Sequence, residues 1–243
     1  MSHESYRVLV ADASTAVGQA LVNYLSDTDY VVRALVPDRD AEPLARQAGA
    51  VEVSVADLTT GRGLDGAVRD VDAICCSVRD GGLAHVFGRL DTGVGIRNLV
   101  DAASDADRPY VVLHSTIGVG DSESGMVLPV RLFKHRILGA LDATERYLRD
   151  SGVPHTILRT GRTTDGEGTG SVATSEGEDT VAGRIPRPDL AWVMVAALTT
   201  PEARNRTFEV AEVASPTHEG VEFEWRGPEA GLVARRSGYS IPS

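Results

Sequence analysis

Lysine is nearly missing from this chain. Lys134 is the single lysine among 24 basic residues, and the acidic side chains number 35, for a formal net charge of −11. A protein so short of positive charge is repelled by phosphate backbones and anionic headgroups, which argues against nucleic acid and membrane surfaces as partners. Acidic excess with almost no lysine looks halophile-like, as in a salt-accumulating cell where screening relieves self-repulsion; the alternative is a high-GC genome that favours arginine codons. Cysteine is scarce too. Cys75 and Cys76 are adjacent, so in a strand they face opposite ways and no structural disulfide joins them. No His, Cys and carboxylate cluster has metal-ligand spacing, and no metal is expected. No apolar run reaches the ~18 residues that span a bilayer. The opening MSHESYRVLV has neither the basic nor the long apolar segment of a signal peptide, so a cytoplasmic location is expected.

What is present is a regular alternation of strands and helices. Val8 to Ala11 is an apolar run of strand length. Asp12 to Val17 are small or polar, as in a turn, and Val17, Leu21, Val22 and Leu25 then share one face of a helix that opens at Gly18. Strand, tight turn and helix form the first unit of a dinucleotide-binding fold, in which the free N–H groups of the helix point at a pyrophosphate. Further strands are expected at Val31 to Val36, Val51 to Val55, Asp72 to Cys76, Tyr110 to Leu113, His155 to Leu158 and Thr207 to Ala211. Helices are expected at Ala41 to Ala48, Leu64 to Val68, Gly93 to Ala103, Leu132 to Asp150 and Asp189 to Leu198. Loops fill Gly118 to Gly125 and Arg159 to Gly170. Such alternation predicts an α/β fold, a doubly wound parallel sheet with helices on both faces, in a single domain. The domain is expected over 1–214. The tail, 215–243, is an extended segment that packs on the domain or on a protein partner, with Val221, Phe223 and Trp225 alternating against Glu222 and Glu224.

Several motifs stand in an order that resembles the atypical short-chain dehydrogenase/reductases, in particular the NAD(P)-binding group that includes nitrogen-metabolite regulators and biliverdin/flavin reductases. They are VRALV at Val32 to Val36, Ala56-Asp57-Leu58 after the third strand, and YVVLHSTIGV at Tyr110 to Val119. ERYLRDSG at Glu145 to Gly152 followed by HTILRTG at His155 to Gly161 is similar to E-x-A-L-R-x-S-G-x-x-x-T-I-x-R-P-G. IPRPDLA at Ile185 to Ala191 resembles I-S-R-x-D-V-A. The resemblance implies a Rossmann-like fold, NADP as cofactor, and a dinucleotide or other small molecule as partner. It places Ser14, Thr15, Ala16, Val17 and Gly18 at the pyrophosphate and Arg33 near the adenosine 2′-phosphate. Asp57 and Leu58 fall beside the adenine, Ser77 just past the fourth strand, and Ser115 at the active-site strand as the catalytic polar contact.

The departures fall on the chemistry. The family turn G-A-T-G-x-x-G is Asp12 to Gly18 here, and only the last glycine remains. A carboxylate ~5 Å from a phosphate charge costs about 3 kcal/mol at an effective dielectric of ~20, and Thr15 adds a β-branched side chain where backbone should meet phosphate. The Tyr-x-x-x-Lys pair that supplies the superfamily's general acid is absent, with Leu141 at the lysine position. His114, next to Ser115, faces the other side of the sheet and reads as a core histidine. Two readings therefore stand: an NADP-dependent oxidoreductase with a weakened cofactor site, and a non-catalytic scaffold or regulatory protein that has lost the dinucleotide.

Overall fold

The computed structural model describes residues 5–77, 91–117, 128–176, 183–212 and 223–227, side chains at 91–92 and 128–138 excepted. The order is β1 (Arg7–Val10), α1 (Ala16–Ser26), β2 (Val31–Val36), α2 (Glu42–Gln47), β3 (Glu52–Val55), α3 (Leu64–Ala67) and β4 (Ala73–Ser77). There follow α4 (Asp91–Asp105), β5 (Tyr110–Thr116), α5 (Leu128–Asp150), β6 (His155–Thr160), β7 (Arg162–Thr164), β8 (Val172–Ser175), β9 (Arg184–Pro186), α6 (Arg187–Thr199) and β10 (Arg206–Glu212). Eight strands form one sheet in the order β3-β2-β1-β4-β5-β6-β10-β8, while β7 and β9 pair separately. All pairings in the large sheet are parallel except β10 with β8. This is the doubly wound Rossmann-like α/β architecture expected from the alternation. The strand order reverses between β1 and β4, and ligands of such sheets bind in the crevice outside the carboxyl ends there.

The continuous apolar strand runs are explained by burial on both faces. Val8, Val10, Val32, Ala34 and Cys75 belong to one core with Val17, Leu21 and Leu25 of α1. Leu9, Leu35, Ile74, Cys76, Val111 and Leu113 belong to the other, with Leu64 of α3, Leu99 of α4 and Leu148 of α5. Cys75 and Cys76 thus point into opposite cores, are both free, and have their thiols pushed up by burial, Cys76 to about 12. Helix α6 is apolar almost all round because it lies between the sheet and α1.

The structure extends β5 by three residues and β6 by two, and adds β7 inside the expected Arg159 to Gly170 loop and β8 and β9 in stretches to which no element was assigned. The Gly118 to Gly125 loop and most of the tail from Ser215 lie outside the described residues. Of that tail, residues 223–227 are not a strand. The alternation nevertheless shows itself: Phe223 and Trp225 pack against Phe208 of β10, with ring centroids 4.6 and 5.1 Å away. The Arg226 N–H donates to Thr200 Oγ1 at 2.9 Å.

His155 opens β6 buried, its Nδ1 2.9 Å from the Val153 carbonyl. Burial holds its pKa below the ordinary 6.5. The unfolded chain therefore takes up a proton as pH falls through about 6.5 while the folded chain resists, so stability falls with pH below that point. In urea titrations between pH 8 and pH 5, His155→Gln is expected to lose less stability on acidification than the wild type.

Candidate functional site

The β1–α1 turn is built without its first two glycines. Asp12 adopts φ 56°, the left-handed conformation a glycine would take, which Asx residues tolerate better than most. Its carbonyl accepts from the Thr15 N–H at 3.0 Å and from Thr15 Oγ1 at 2.9 Å. Ser14 Oγ donates to the Asp12 carboxylate at 3.1 Å. Thr15 is the N-cap of α1, and its Oγ1 accepts the Gly18 N–H at 3.1 Å. The threonine thereby occupies one of the N–H groups that would face an anion. The N–H groups of Ala16 and Val17 remain at the helix end with no partner among the described residues. Gly18 is retained for a steric reason: a Cβ there would lie 2.4 Å from the Asp12 carbonyl oxygen.

The next loops along the carboxyl edge are also self-contained. Asp57 follows β3, and its carboxylate accepts from the Thr59 N–H at 2.9 Å and from Thr60 Oγ1 at 2.9 Å. The Thr60 hydroxyl, first among these donors, holds its pKa below the usual carboxylate range. Leu58 is half-buried, its carbonyl and that of Thr59 both accepting from Asn98 Nδ2 of α4.

Arg33 is elsewhere. Its Nε donates to Glu52 at 2.6 Å, and its Nη1 to the carbonyls of Ala67 and Arg69 at 2.9 and 2.6 Å. Glu52 opens β3, and Arg69 lies in the turn before β4, so the guanidinium reaches the amino edge of the sheet. Arg7, at the start of β1, shares the same Glu52 at 3.2 Å. The Arg33 guanidinium, expected near the 2′-phosphate, is held here by Glu52 and two carbonyls. Its strand position is as read, but its side chain runs along the strand to the opposite edge from the crevice.

Ser115 is likewise redirected. It is buried on the α5 face, and its hydroxyl donates to Glu145 Oε1 at 2.6 Å. Glu145 also accepts from Arg159 Nη2 at 2.8 Å and Arg149 Nη2 at 2.9 Å. Glu145 and Arg159 are both almost fully buried. The Ser115 hydroxyl, expected to contact a substrate carbonyl, here donates to Glu145. The motif residues Glu145 and Arg159 are a buried ion pair that locks α5 to β6.

On the opposite face lies a group the sequence reading did not assemble. Ser77 and Thr160 end β4 and β6, His114 lies two residues before the end of β5, and Ser77 is the cross-strand partner of His114. His114 Nδ1 lies 2.7 Å from Ser77 Oγ, and Nε2 lies 2.7 Å from Thr160 Oγ1. The signal was available in the alternation, since His114 and Thr160 both share the face of their strands opposite to Ser115 and Arg159.

The family model described as NAD(P)H-binding matches residues 13–201. This chain belongs to the NAD(P)H-binding family. A Bacillus subtilis relative, the uncharacterised sugar epimerase YhfK, is 27% identical over 220 residues, covering 88% of this chain and 98% of that one. The Arabidopsis thaliana chloroplast protein At2g34460 is 30% identical over 220 residues, 86% of this chain and 76% of its own. Among solved structures, an NAD-dependent epimerase/dehydratase from Bacillus halodurans gives a TM-score of 0.72 at 24% identity, covering 86% of this chain and 94% of its own. ChuY of Escherichia coli O157:H7, titled an anaerobilin reductase, gives 0.72 at 20% identity, covering 88% and 100%.

Against that family, the residues present fit a dinucleotide in outline. The switch-point crevice, the Asp12 turn in a glycine-like conformation and two N–H groups at the start of α1 are the parts a pyrophosphate needs. Asp12 and Thr15 stand where the family motif has glycine.

Proposed function

We propose that this chain binds NAD(P)H in the β1/β4 crevice and reduces a small unsaturated or carbonyl compound, with a pyrophosphate contact weaker than the family pattern provides. The observation that supports this most is Asp12 at φ 56°. The turn keeps its glycine shape, so α1 still aims its N-terminus at the crevice although the glycine is gone. When bound, the dinucleotide supplies a hydride. The chain supplies the Ala16 and Val17 N–H groups toward phosphate, and Asp57 and Leu58 shape the edge beyond β3.

With Arg33 at the amino edge, a cation among the described residues that could meet a 2′-phosphate is Arg39, exposed just past the carboxyl end of β2. Asp38 before it is engaged with the Ala41 N–H at 3.1 Å. Calorimetric titration with NADPH and NADH at low and molar salt tests the reading. Wild-type binding is expected in the high micromolar range, improving with Asp12→Gly. Arg39→Ala should lower NADPH affinity roughly tenfold, about 1.4 kcal/mol, and spare NADH, whereas Arg33→Ala should leave both unchanged. Low-micromolar wild-type affinity would show the pyrophosphate contact to be intact. No binding by either wild type or Asp12→Gly would favour a scaffold that has lost the dinucleotide.

A further inference from the structure

We infer that Ser77, His114 and Thr160 form the proton-supplying element of the reaction, standing in for the absent Tyr-Lys pair. The inference rests on the reading that the crevice holds NAD(P)H.

The geometry of the ring is the reason. His114 is buried, and each of its nitrogens is 2.7 Å from a hydroxyl oxygen. A hydroxyl both donates and accepts, so either partner can turn to suit the ring. As neutral imidazole, one nitrogen donates and the other accepts. As imidazolium, both donate. The ring can therefore gain or lose a proton without orphaning a nitrogen, which a buried group must do if it is to store one. His155 shows the contrast: its Nδ1 faces the Val153 carbonyl at 2.9 Å, which accepts only, so that nitrogen stays a donor.

Position completes the case. Ser77 is the partly exposed end of the chain of three, at the carboxyl end of β4, the strand beside β1 at the switch point. His114 and Thr160 lie behind it, deeper in the sheet. In the step, the hydride adds to the acceptor and leaves an anion on it. Ser77 Oγ–H gives its proton to that anion, and His114 Nδ1–H returns one to Ser77 Oγ. The ring is left neutral, with Thr160 hydrogen-bonded at Nε2, and reloads from water. The acceptor gains one hydride and one proton, and the dinucleotide is oxidised by two electrons. The substrate class this serves is a carbonyl or conjugated compound whose reduction generates a basic oxygen or carbon.

The test is nitrogen NMR of histidine-labelled whole protein titrated over pH, alone and saturated with NADPH or NADP⁺. The two dinucleotides differ by one positive charge on the nicotinamide. If that ring lies beside Ser77, the His114 midpoint is expected about one pH unit lower with NADP⁺ than with NADPH. Thr160→Val should drive the ring to the tautomer protonated at Nδ1, and Ser77→Ala to the one protonated at Nε2. Binding of both dinucleotides with equal His114 midpoints would overturn the relay and leave the binding reading standing. A ring that never titrates, or keeps one tautomer in both variants, would overturn it too. Absence of dinucleotide binding would instead overturn the function on which the relay rests.

Discussion

Glu145→Ala is expected to lower the stability of the fold by about 3–5 kcal/mol, the usual result of removing one partner from a buried ion pair. In a chain of this size the melting temperature should fall by roughly 10 °C. The carboxylate receives Ser115, Arg149 and Arg159 together. Without it, the buried Arg159 guanidinium loses its counter-charge, and the Ser115 hydroxyl loses its acceptor. Glu145→Gln keeps an acceptor for Ser115 but no charge for Arg159, and should destabilise by a large fraction of the same amount. The contrast is Arg146→Ala, one residue along α5. Its exposed ion pair with Asp142 is of the surface kind, worth at most about 1 kcal/mol. Equilibrium urea unfolding separates the two cases. A Glu145→Ala variant within 1 kcal/mol of wild type would mean that water or a rearranged helix takes over the role of the carboxylate.

Gly18→Ala is the second large effect. A methyl group there would meet the Asp12 carbonyl oxygen at 2.4 Å and the Ala13 Cα at 2.8 Å. Both are backbone atoms of the turn, so no side chain can swing aside. Strand and helix must separate or the turn must re-form, at about 1–3 kcal/mol or more. Because Asp12 and Thr15 hold the same turn, dinucleotide binding should vanish along with the stability. Gly66→Ala in α3 is the matched control. Beyond its chain neighbours and its own helix backbone, no heavy atom lies within 4 Å of its added methyl, and replacing a helical glycine should stabilise by about 0.5–1 kcal/mol. Thermal melts with and without NADPH distinguish loss of the turn from loss of the fold.

The parallel sheet with helices on both faces was legible because apolar runs of strand length alternate with helical periods. The alternation also placed His114 and Ser115 on opposite faces, as they are. Other features were hidden for definite reasons. Strands β7, β8 and β9 have three or four residues each, too few for a period to show, and they sit among glycines and threonines that read as loop. The side chain of Arg33 could be assigned to a strand and a face, but not to a direction along the strand. That direction is chosen by Glu52 and by the carbonyls of Ala67 and Arg69. Arg159 offered a usable sign. It shares a face with Ile157, and an arginine among core residues needs an acid, for which Glu145 in the preceding helix was available. The Thr15 cap was visible as a residue type and missed as a role, because a family glycine motif drew attention to what Thr15 obstructs rather than to what it bonds.

The two margins of the sheet differ in their exposure to self-association. At one, β8 runs antiparallel along β10 and is only four residues long. At the other, β3 has no outer neighbour among the described residues, and Val51 and Val55 are 64% and 42% exposed. An open margin with exposed valines is a template on which a second chain can add strands and begin to aggregate. The guard on this margin is Glu52, held by Arg33 and Arg7. Although desolvation opposes them, those arginines keep its carboxyl ionised below the usual carboxylate range. The carboxylate charge at the β3 margin thus persists further into acid than that of an unpaired glutamate.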